Sequence, residues 1–253
     1  MCRTHIALAL WQLGHPDQAM QWADESIRVA KPLNHPFSLA MANYFRRQIL
    51  QFLGRDQEAT ASVEEEYRNC HEHGFAFYEV HALFGKGTLL LQEGKTAEAR
   101  PWIDQGWRMR DGMGSLLSMD FPYRNLAEAF LAAGLHADAE LWLDRGFELV
   151  EQHGMRVCES EFLRLRGDLA VARGDEAAAA ALYEHSLAAA RRHQARSWEL
   201  RSAIRLVELR RGHQHQAEAY ALLKACYDRF TEGFDSVDLR RAATLLGTLN
   251  PRS

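Results

Sequence analysis

A short stretch that recurs along the chain decides the fold: Gly14-His15-Pro16-Asp17-Gln18-Ala19 is followed 40 residues later by Gly54-Arg55-Asp56-Gln57-Glu58-Ala59. The same glycine–alanine pairing recurs at Gly94/Ala99, Gly134/Ala139 and Gly174/Ala179, and two residues short of the period at Gly212/Ala217. A second series has the same 40-residue spacing and comprises Gly74, Gly114 and Gly154, with Asn34 and Gln194 at the equivalent positions. Two phased series of this kind predict a protein built from copies of one structural unit.

The position of each glycine series has a physical cause. The first series follows amphipathic runs and precedes polar loops, which is typical of a helix that ends in the left-handed conformation. The residues expected to cap the helix that follows are Asp17, Asp56, Thr96 and Asp175. The alanine lies in the first turns of that second helix, where a methyl group allows close approach of the first helix. The second glycine series ends the second helix, so each unit is predicted to be helix, tight turn, helix, turn.

The phase sets the expected boundaries. First helices are expected near 36–52, 75–92, 115–132, 155–173 and 197–211. Second helices are expected near 16–31, 56–73, 97–111, 136–152, 176–193 and 214–231. The predicted fold is all-α: a tetratricopeptide-like right-handed α-solenoid of six helix pairs of about 40 residues each. It forms a single domain over 1–253 with repeats at about 1–34, 35–74, 75–114, 115–154, 155–194 and 195–233, and a capping helix over 235–249.

Composition agrees with this class and excludes several others. The chain has 253 residues, 47% of them hydrophobic and 25% charged, which excludes a disordered or collagen-like protein. A formal net charge of -4 argues against attachment to nucleic acid or anionic lipid by bulk charge. No apolar run is long enough to cross a membrane and no secretory signal is present, so we expect a cytoplasmic protein without a membrane partner. The four widely spaced cysteines are expected to be reduced and mostly buried.

The beginning of the chain breaks the phase. In the 40-residue register Met1 aligns with Met41, in the middle of a first helix. A short first helix is one explanation. We favour the other, that this chain is the tail of a longer polypeptide, because a solenoid end without a cap exposes apolar surface.

The helix pairs resemble the tetratricopeptide repeat, in the longer variety of bacterial signalling ATPases. The stretch from Gln194 through Leu249 is similar to the end of large bacterial proteins with an N-terminal class III adenylate/guanylate cyclase or other output domain, a predicted NTPase module and a tetratricopeptide tail. The segments 35–40 and 161–167 also resemble that tail. The resemblance covers essentially the whole chain and carries no catalytic residue. It implies a regulatory or sensor domain that acts on an upstream NTPase and output domain.

Several chemical motifs fail on spacing. Gly85-Lys86-Gly87-Thr88 lacks the phosphate-loop spacing and lies in a predicted helix, where Gly87 is better explained by a close helix crossing. His71/His73 and His213/His215 are two residues apart, so one helix cannot direct both at one metal ion. Cys70 and Cys226 fall at packing positions. We therefore expect no catalytic residue, no metal and no cofactor.

Two surfaces remain. The stretch 191–211 has seven arginines against two glutamates, which favours a solvated helix face over an acidic or nucleic-acid partner. The concave face is the candidate for a ligand or peptide groove, and its expected residues are Tyr44, Gln48, His81, Phe84, Arg124, Glu128, Glu161, Arg164, Asp168 and Glu199. So many charges should not be buried unpaired, so these residues are expected to face water or a ligand. These residues are typical of a site for a peptide or a small polar ligand, such as a sugar or nucleotide fragment. They are equally typical of a concave face that contacts only water.

Two functions follow as hypotheses. The first is a non-catalytic regulatory or sensor domain that binds a ligand or a protein, as the tail of a multidomain signalling ATPase or cyclase. The second is a stand-alone scaffold that binds a peptide or a partner helix in its concave groove. An enzyme is the weakest option, because no nucleophile–base pair, metal set or phosphate loop has adequate spacing.

Overall fold

The computed structural model describes residues 2–210 and 216–249. Within them the chain is all-α, with thirteen α-helices and one short 3-10 helix at Lys31–Leu33. The helices are α1 Cys2–Gln12, α2 Pro16–Ala30, α3 Pro36–Leu53, α4 Asp56–His73, α5 Ala76–Gln92, α6 Thr96–Met113, α7 Asp120–Ala132, α8 His136–His153, α9 Glu159–Ala172, α10 Glu176–Arg192, α11 Arg196–Leu209, α12 Gln216–Tyr227 and α13 Val237–Leu249. They pack in sequence as antiparallel pairs, which is consistent with a helical repeat solenoid. None of these helices is long and apolar enough to cross a membrane.

The turn residues behave as the two series predict. Every glycine of both series that the structure describes has a positive φ, from 61° at Gly114 to 88° at Gly14. Asn34 and Gln194, which replace glycine in the second series, also have positive φ, at 46° and 55°. The phase of the repeat is therefore confirmed at backbone level. Gly212, in the sixth copy, lies outside the described residues.

Two first helices begin later than expected. α7 begins at Asp120 rather than near 115, because Ser118 has a φ of 58°, which a right-handed helix cannot contain. α9 begins at Glu159 rather than near 155. The cap prediction holds at Asp175, whose carboxylate accepts from Ala178 N at 2.9 Å. It is wrong at Asp17, the second residue of α2, and at Asp56 and Thr96, the first residues of α4 and α6.

Small residues make close helix crossings both within a pair and between successive pairs. A Cβ built on Gly146 in α8 lies 2.4 Å from Phe162 Cε1, and one built on Gly87 in α5 lies 2.3 Å from Ile103 Cγ1. Both distances are too short for real atoms, so the neighbouring side chain occupies the space that a larger residue needs. The expectation of a packing role for Gly87 is confirmed.

Replacing Gly146 by alanine should lower the free energy of unfolding by about 1–3 kcal/mol, because the added methyl group overpacks against Phe162. Gly112 in α6 is the matched control, since a Cβ there meets nothing within 4 Å. Gly112→Ala should be neutral or stabilise by about 0.5–1 kcal/mol, through the better helix propensity of alanine. Urea denaturation followed by circular dichroism measures both, and equal effects would contradict the packing explanation.

The chain divides into two compact units. Unit 1 comprises residues 1–9 and 18–142. Part of its core is an aromatic cluster in which Tyr44 and Phe45 of α3 pack with Tyr78 of α5, together with Ala40, Met41 and Cys70. This cluster joins the first helices of successive repeats.

Unit 2 comprises residues 10–17 and 143–253. Its core includes Tyr183, Leu187, Leu206 and Leu223. The buried face of α13, made of Leu239, Ala242, Leu245 and Leu249, packs into the same core. The final helix expected over 235–249 is therefore present, and it begins at Val237.

Unit 2 also contains the turn between α1 and α2. The Trp11 ring lies 4.4 Å from the Trp198 ring, edge to face, and Ser197 Oγ donates to the Trp11 carbonyl at 2.5 Å. Asp17 Oδ2 accepts from Gly233 N at 3.0 Å. Trp11 is therefore only 2% exposed. The chain does not stabilise itself by nearest-neighbour repeats alone, as a simple linear array would.

Candidate functional site

The structure buries most of the predicted groove residues. Eight of the ten are buried: Tyr44, Gln48, His81, Phe84, Arg124, Glu161, Arg164 and Glu199. Glu128 and Asp168 keep partial exposure, with 38% and 14% of the side chain accessible. The expectation that these residues face water was wrong, because their charges are compensated by partners inside the chain.

The first helices of the pairs are buried on nearly every face. No residue of α11 is exposed, and α3 and α7 have one exposed residue each, Phe37 near the start of α3 and Ala132 at the end of α7. Polar side chains on these helices therefore serve as internal connections between repeats. Ligand binding at the predicted positions remains a prediction.

Arg47 and Glu66 form the central ion pair of unit 1. Arg47 Nε lies 2.7 Å from Glu66 Oε2, and the two side chains are 1% and 0% exposed. Arg47 Nη2 also donates to the His81 carbonyl at 3.1 Å and Nη1 to Gln51 Oε1 at 3.2 Å. A Cβ on Gly85 would lie 2.7 Å from Arg47 Cζ, so Gly85 leaves room for the guanidinium. The first glycine of the Gly85–Thr88 motif thus has a packing role.

A polar chain runs from α3 to α7 in the same unit. Asn125 Nδ2 donates to Gln48 Oε1 at 3.0 Å, and Asn125 Oδ1 accepts from Arg124 Nη1 at 2.8 Å. Arg124 Nη2 lies 2.6 Å from Glu128 Oε2. Two predicted groove residues of α7 are therefore connected to Gln48 of α3 through Asn125.

Backbone carbonyls and aromatic rings hold His81. Its Nδ1 lies 2.8 Å from the Phe77 carbonyl and its Nε2 3.2 Å from the Ser118 carbonyl. The Tyr44 ring packs edge-on at 4.6 Å. Burial lowers the pKa of His81 to about 4, and the Arg47 guanidinium acts in the same direction. The two carbonyls oppose this shift without cancelling it, so the ring is neutral at pH 7.

The predicted residues of α9 form an ion-pair network in unit 2. Arg164 bridges Glu161 at 2.7 Å and Asp168 at 2.8 Å. Glu161 also meets Arg201 at 3.3 Å, and Asp168 accepts from Tyr183 Oη at 2.6 Å. Burial and the nearby Asp168 carboxylate raise the pKa of Tyr183 above its ordinary value. This network connects α9, α10 and α11, and its ion pairs are structural contacts between these helices.

Glu199 lies in a separate group in unit 2. Its carboxylate binds Arg191 at 2.8 Å and Arg229 at 2.5 Å, and Cys226 Sγ lies 3.8 Å away. Burial raises the pKa of Cys226 to about 12, with Glu199 as the next cause. Cys226 is therefore a protonated core thiol, as expected for a packing position.

Phe84 lies in an aromatic group. Its ring meets Trp142 edge to face at 5.6 Å and Tyr123 at 6.4 Å. It also fills the space beside Gly106, where a Cβ would lie 3.1 Å from the ring. Phe84 is a core residue.

An open pocket of about 450 Å³ lies outside the predicted groove, between α2, α3 and α4. Its rim is charged, and its lining residues are Asp24, Ile27, Arg28, Lys31, Asn43, Arg46, Glu58, Ala61, Ser62 and Glu65. Asn43 and Ser62 are 2% and 5% exposed. Asn43 Nδ2 and Ser62 Oγ have no hydrogen-bond partner in the described part of the chain. Two unsatisfied buried polar groups at one pocket mark it as a candidate binding site.

The repeat itself explains why this pocket is open. Forty residues after Ile27 and Ser62 stand Tyr67 and Trp102, whose rings pack edge to face at 5.3 Å. Forty residues further, Trp107 and Trp142 pack at 5.7 Å. Large aromatic side chains thus fill the equivalent clefts of the next two repeats. The sequence carried this signal in its 40-residue alignment, although the groove-based prediction did not use it.

The other candidates from the sequence have structural partners. His71 Nδ1 meets Glu79 Oε1 at 2.8 Å, whereas His73 Nδ1 contacts the Asn69 carbonyl at 3.0 Å. His213 and His215 lie outside the described residues. Within the described ranges no group of three His, Cys, Asp or Glu residues could hold a metal ion. None of the four cysteines, all of which lie in the described ranges, forms a disulfide: Cys70, Cys158 and Cys226 are buried, and Cys2 is exposed.

Most of the described arginines of the basic stretch 191–211 pair with carboxylates inside unit 2. The five pairings are Arg191 with Glu199, Arg192 with Glu159, Arg201 with Glu161 and Asp238, Arg205 with Asp168 and Glu208, and Arg210 with Glu184. Arg211 lies outside the described residues.

Comparison with known proteins identifies no family. No family model matches the chain, and no curated protein gives a significant match.

Proposed function

We propose that this chain is a non-catalytic regulatory or sensor domain that binds a small ligand or a protein. In this proposal the helix pairs form a tetratricopeptide-like right-handed solenoid, the tail of a multidomain signalling ATPase or cyclase. The resemblance of the stretch from Gln194 through Leu249 supports the second part.

One observation carries the binding role: the open polar pocket between α2, α3 and α4. Elsewhere the charged side chains of the first helices form internal ion pairs, such as Arg47 with Glu66 and Arg164 with Glu161, although Gln48 Nε2 also has no hydrogen-bond partner in the described part of the chain. Groups that satisfy one another are available neither as nucleophile–base pairs nor as ligand contacts. The pocket, in contrast, combines exposed charge with buried groups that still need partners.

The scaffold hypothesis has one observation in its favour. Within unit 1, Phe37 and Leu117 occupy the same position in the 40-residue register and are both exposed. An apolar side chain that recurs at one position suits a partner helix or peptide. This alternative moves the partner from the predicted concave groove to the beginnings of the first helices.

Thermal unfolding of the purified chain tests the proposal. A panel of sugars, nucleotides, organic acids and amino acids at millimolar concentration should contain a ligand that raises Tm. A ligand at 100 times its Kd stabilises by about 2.7 kcal/mol. If no compound raises Tm, and no partner protein is retained by wild type but lost on Leu117→Asp, both forms of the proposal fail. Turnover of a stabilising compound would contradict the non-catalytic role.

A further inference from the structure

We infer that the open pocket between α2, α3 and α4 binds a small zwitterion, such as a free amino acid or a short peptide, with one ammonium and one carboxylate group. The inference rests on the proposed function, because it names the ligand class of that same pocket. Four features of unit 1 support it: the open space, the balance of charge, the geometry of the rim, and the buried polar groups without partners at the floor of the pocket.

The open space distinguishes this repeat from the next two. In the next repeat Lys86 lies over the rings of Trp102 and Tyr67, at 4.1 and 4.8 Å from their centroids. Arg46 stands 40 residues before Lys86, but the residues at the two aromatic positions are Ile27 and Ser62. The cation is thus retained while the rings that would cover it are replaced by small side chains. A pocket of about 450 Å³ results, within the range of small-molecule sites.

The charges around the pocket are balanced. Three cations and three carboxylates line it: Arg28, Lys31 and Arg46 with Asp24, Glu58 and Glu65. Arg28 also pairs with Glu25 and Glu58 with Arg55, both at 2.6 Å, and these two partners outside the lining add one charge of each sign. A ligand with a net charge would leave one of these groups uncompensated. A zwitterion meets both signs at once, so it can enter without disturbing the balance.

Two ion pairs at the rim of the pocket are long enough for a ligand to replace the partner of each group. Arg46 Nε binds Asp24 Oδ1 at 2.7 Å, and the same ion pair recurs as Lys86–Glu64 at 2.8 Å and as Arg166–Asp144 at 2.5 Å, so it belongs to the scaffold. Arg46 Nη2 to Glu58 and Lys31 Nζ to Glu65 are both 3.7 Å, longer than a direct charge-assisted hydrogen bond. A ligand carboxylate can take the two cations while its ammonium takes the two glutamates.

Asn43 and Ser62, at the floor of the pocket, determine the orientation of the ligand. Asn43 Nδ2 and Ser62 Oγ can each donate a hydrogen bond, and neither has an acceptor in the described part of the chain. A buried donor without an acceptor destabilises the protein, and an acceptor oxygen that reaches it recovers that loss on binding. Of the two ligand groups only the carboxylate can accept a hydrogen bond, because an ammonium has no lone pair, so the carboxylate should point to the floor and the ammonium to the rim.

Isothermal titration calorimetry of the full chain against the twenty common amino acids and a set of dipeptides tests the inference. At least one should bind, and its N-acetyl and amide analogues, which each lack one charge, should bind at least tenfold more weakly. Ser62→Trp introduces the residue that stands at 102 and 142, so it should fill the pocket and weaken binding at least tenfold. Leu182→Trp is the matched control, since it occupies the same repeat position in unit 2 and should leave binding unchanged.

A second variant tests the inference in case Ser62→Trp does not fold. Asn43→Leu removes the floor amide and introduces the residue that stands at 83 and 163, and it should also weaken binding at least tenfold while circular dichroism stays unchanged. Absence of binding by every zwitterion, equal binding of the singly charged analogues, or unchanged binding by both pocket variants would each overturn the inference. If the thermal panel finds a ligand of another class, the proposed function stands and this inference alone fails.

Discussion

Replacing Arg47 by methionine should lower the free energy of unfolding of unit 1 by about 3–5 kcal/mol. The guanidinium is 1% exposed and neutralises Glu66, which is 0% exposed, at 2.7 Å. Without Arg47 a carboxylate would be left buried, with no countercharge at that distance. The contacts of Arg47 with the His81 carbonyl and Gln51 would be lost as well. Urea denaturation followed by circular dichroism measures the loss.

Two further variants separate charge burial from simple truncation. Arg55→Met removes an exposed pair, with Glu58 at 2.6 Å and both side chains more than 40% accessible, and should cost less than about 1 kcal/mol. The double variant Arg47→Met/Glu66→Leu should recover most of the loss, because it leaves no buried charge. A double variant no more stable than Arg47→Met would show that the ion pair is not the cause.

Unfolding should also depend on the protonation of His81. The unfolded ring titrates near 6.5 and the folded ring near 4, so below pH 6.5 the unfolded chain binds a proton that the folded chain does not. The contribution of the neutral His81 ring to the free energy of unfolding is therefore fully present above pH 6.5 and is lost as the pH falls towards 4. Since a tenfold change in an equilibrium is worth about 1.4 kcal/mol, the full loss is about 3 kcal/mol.

His81→Gln isolates this contribution from other groups that titrate in the same range. Glutamine keeps an amide donor for the carbonyls of Phe77 and Ser118 but has no titration near pH 6. The difference in free energy of unfolding between wild type and variant should shrink from pH 7 to pH 5. A difference that is independent of pH would mean that His81 titrates normally in the folded protein.

The repeat phase was enough to predict the helices. Glycine at 14 or 54 and a small residue such as Gly146 are local signals, since one residue alone sets a positive φ or permits a close approach. The partner of Arg47 was not predictable in this way. Glu66 is 19 residues away, and its burial depends on how α3, α4 and α5 pack together. From the charges of the residues alone, we expected a solvent-exposed surface. The structure instead has an internal ion pair there.

The candidate pocket was missed for a related reason. Asn43 and Ser62 are ordinary polar residues when considered singly. Their significance appears only beside Trp102 and Trp142, which fill the corresponding place in later repeats. A comparison of repeats by side-chain volume, rather than by polarity, finds this site from the sequence.

The docking of the α1–α2 turn into unit 2 has a consequence for synthesis on the ribosome. The bond from Ser197 to the Trp11 carbonyl spans 186 residues, and that from Gly233 to Asp17 spans 216. At about 5–20 residues per second, the interval between the two ends of these contacts is about 10–40 seconds. During that time Trp198 has not yet been synthesised, so the indole of Trp11 lacks the ring against which it packs in the folded protein. Translation rate, rather than helix formation, should then limit completion of the native state.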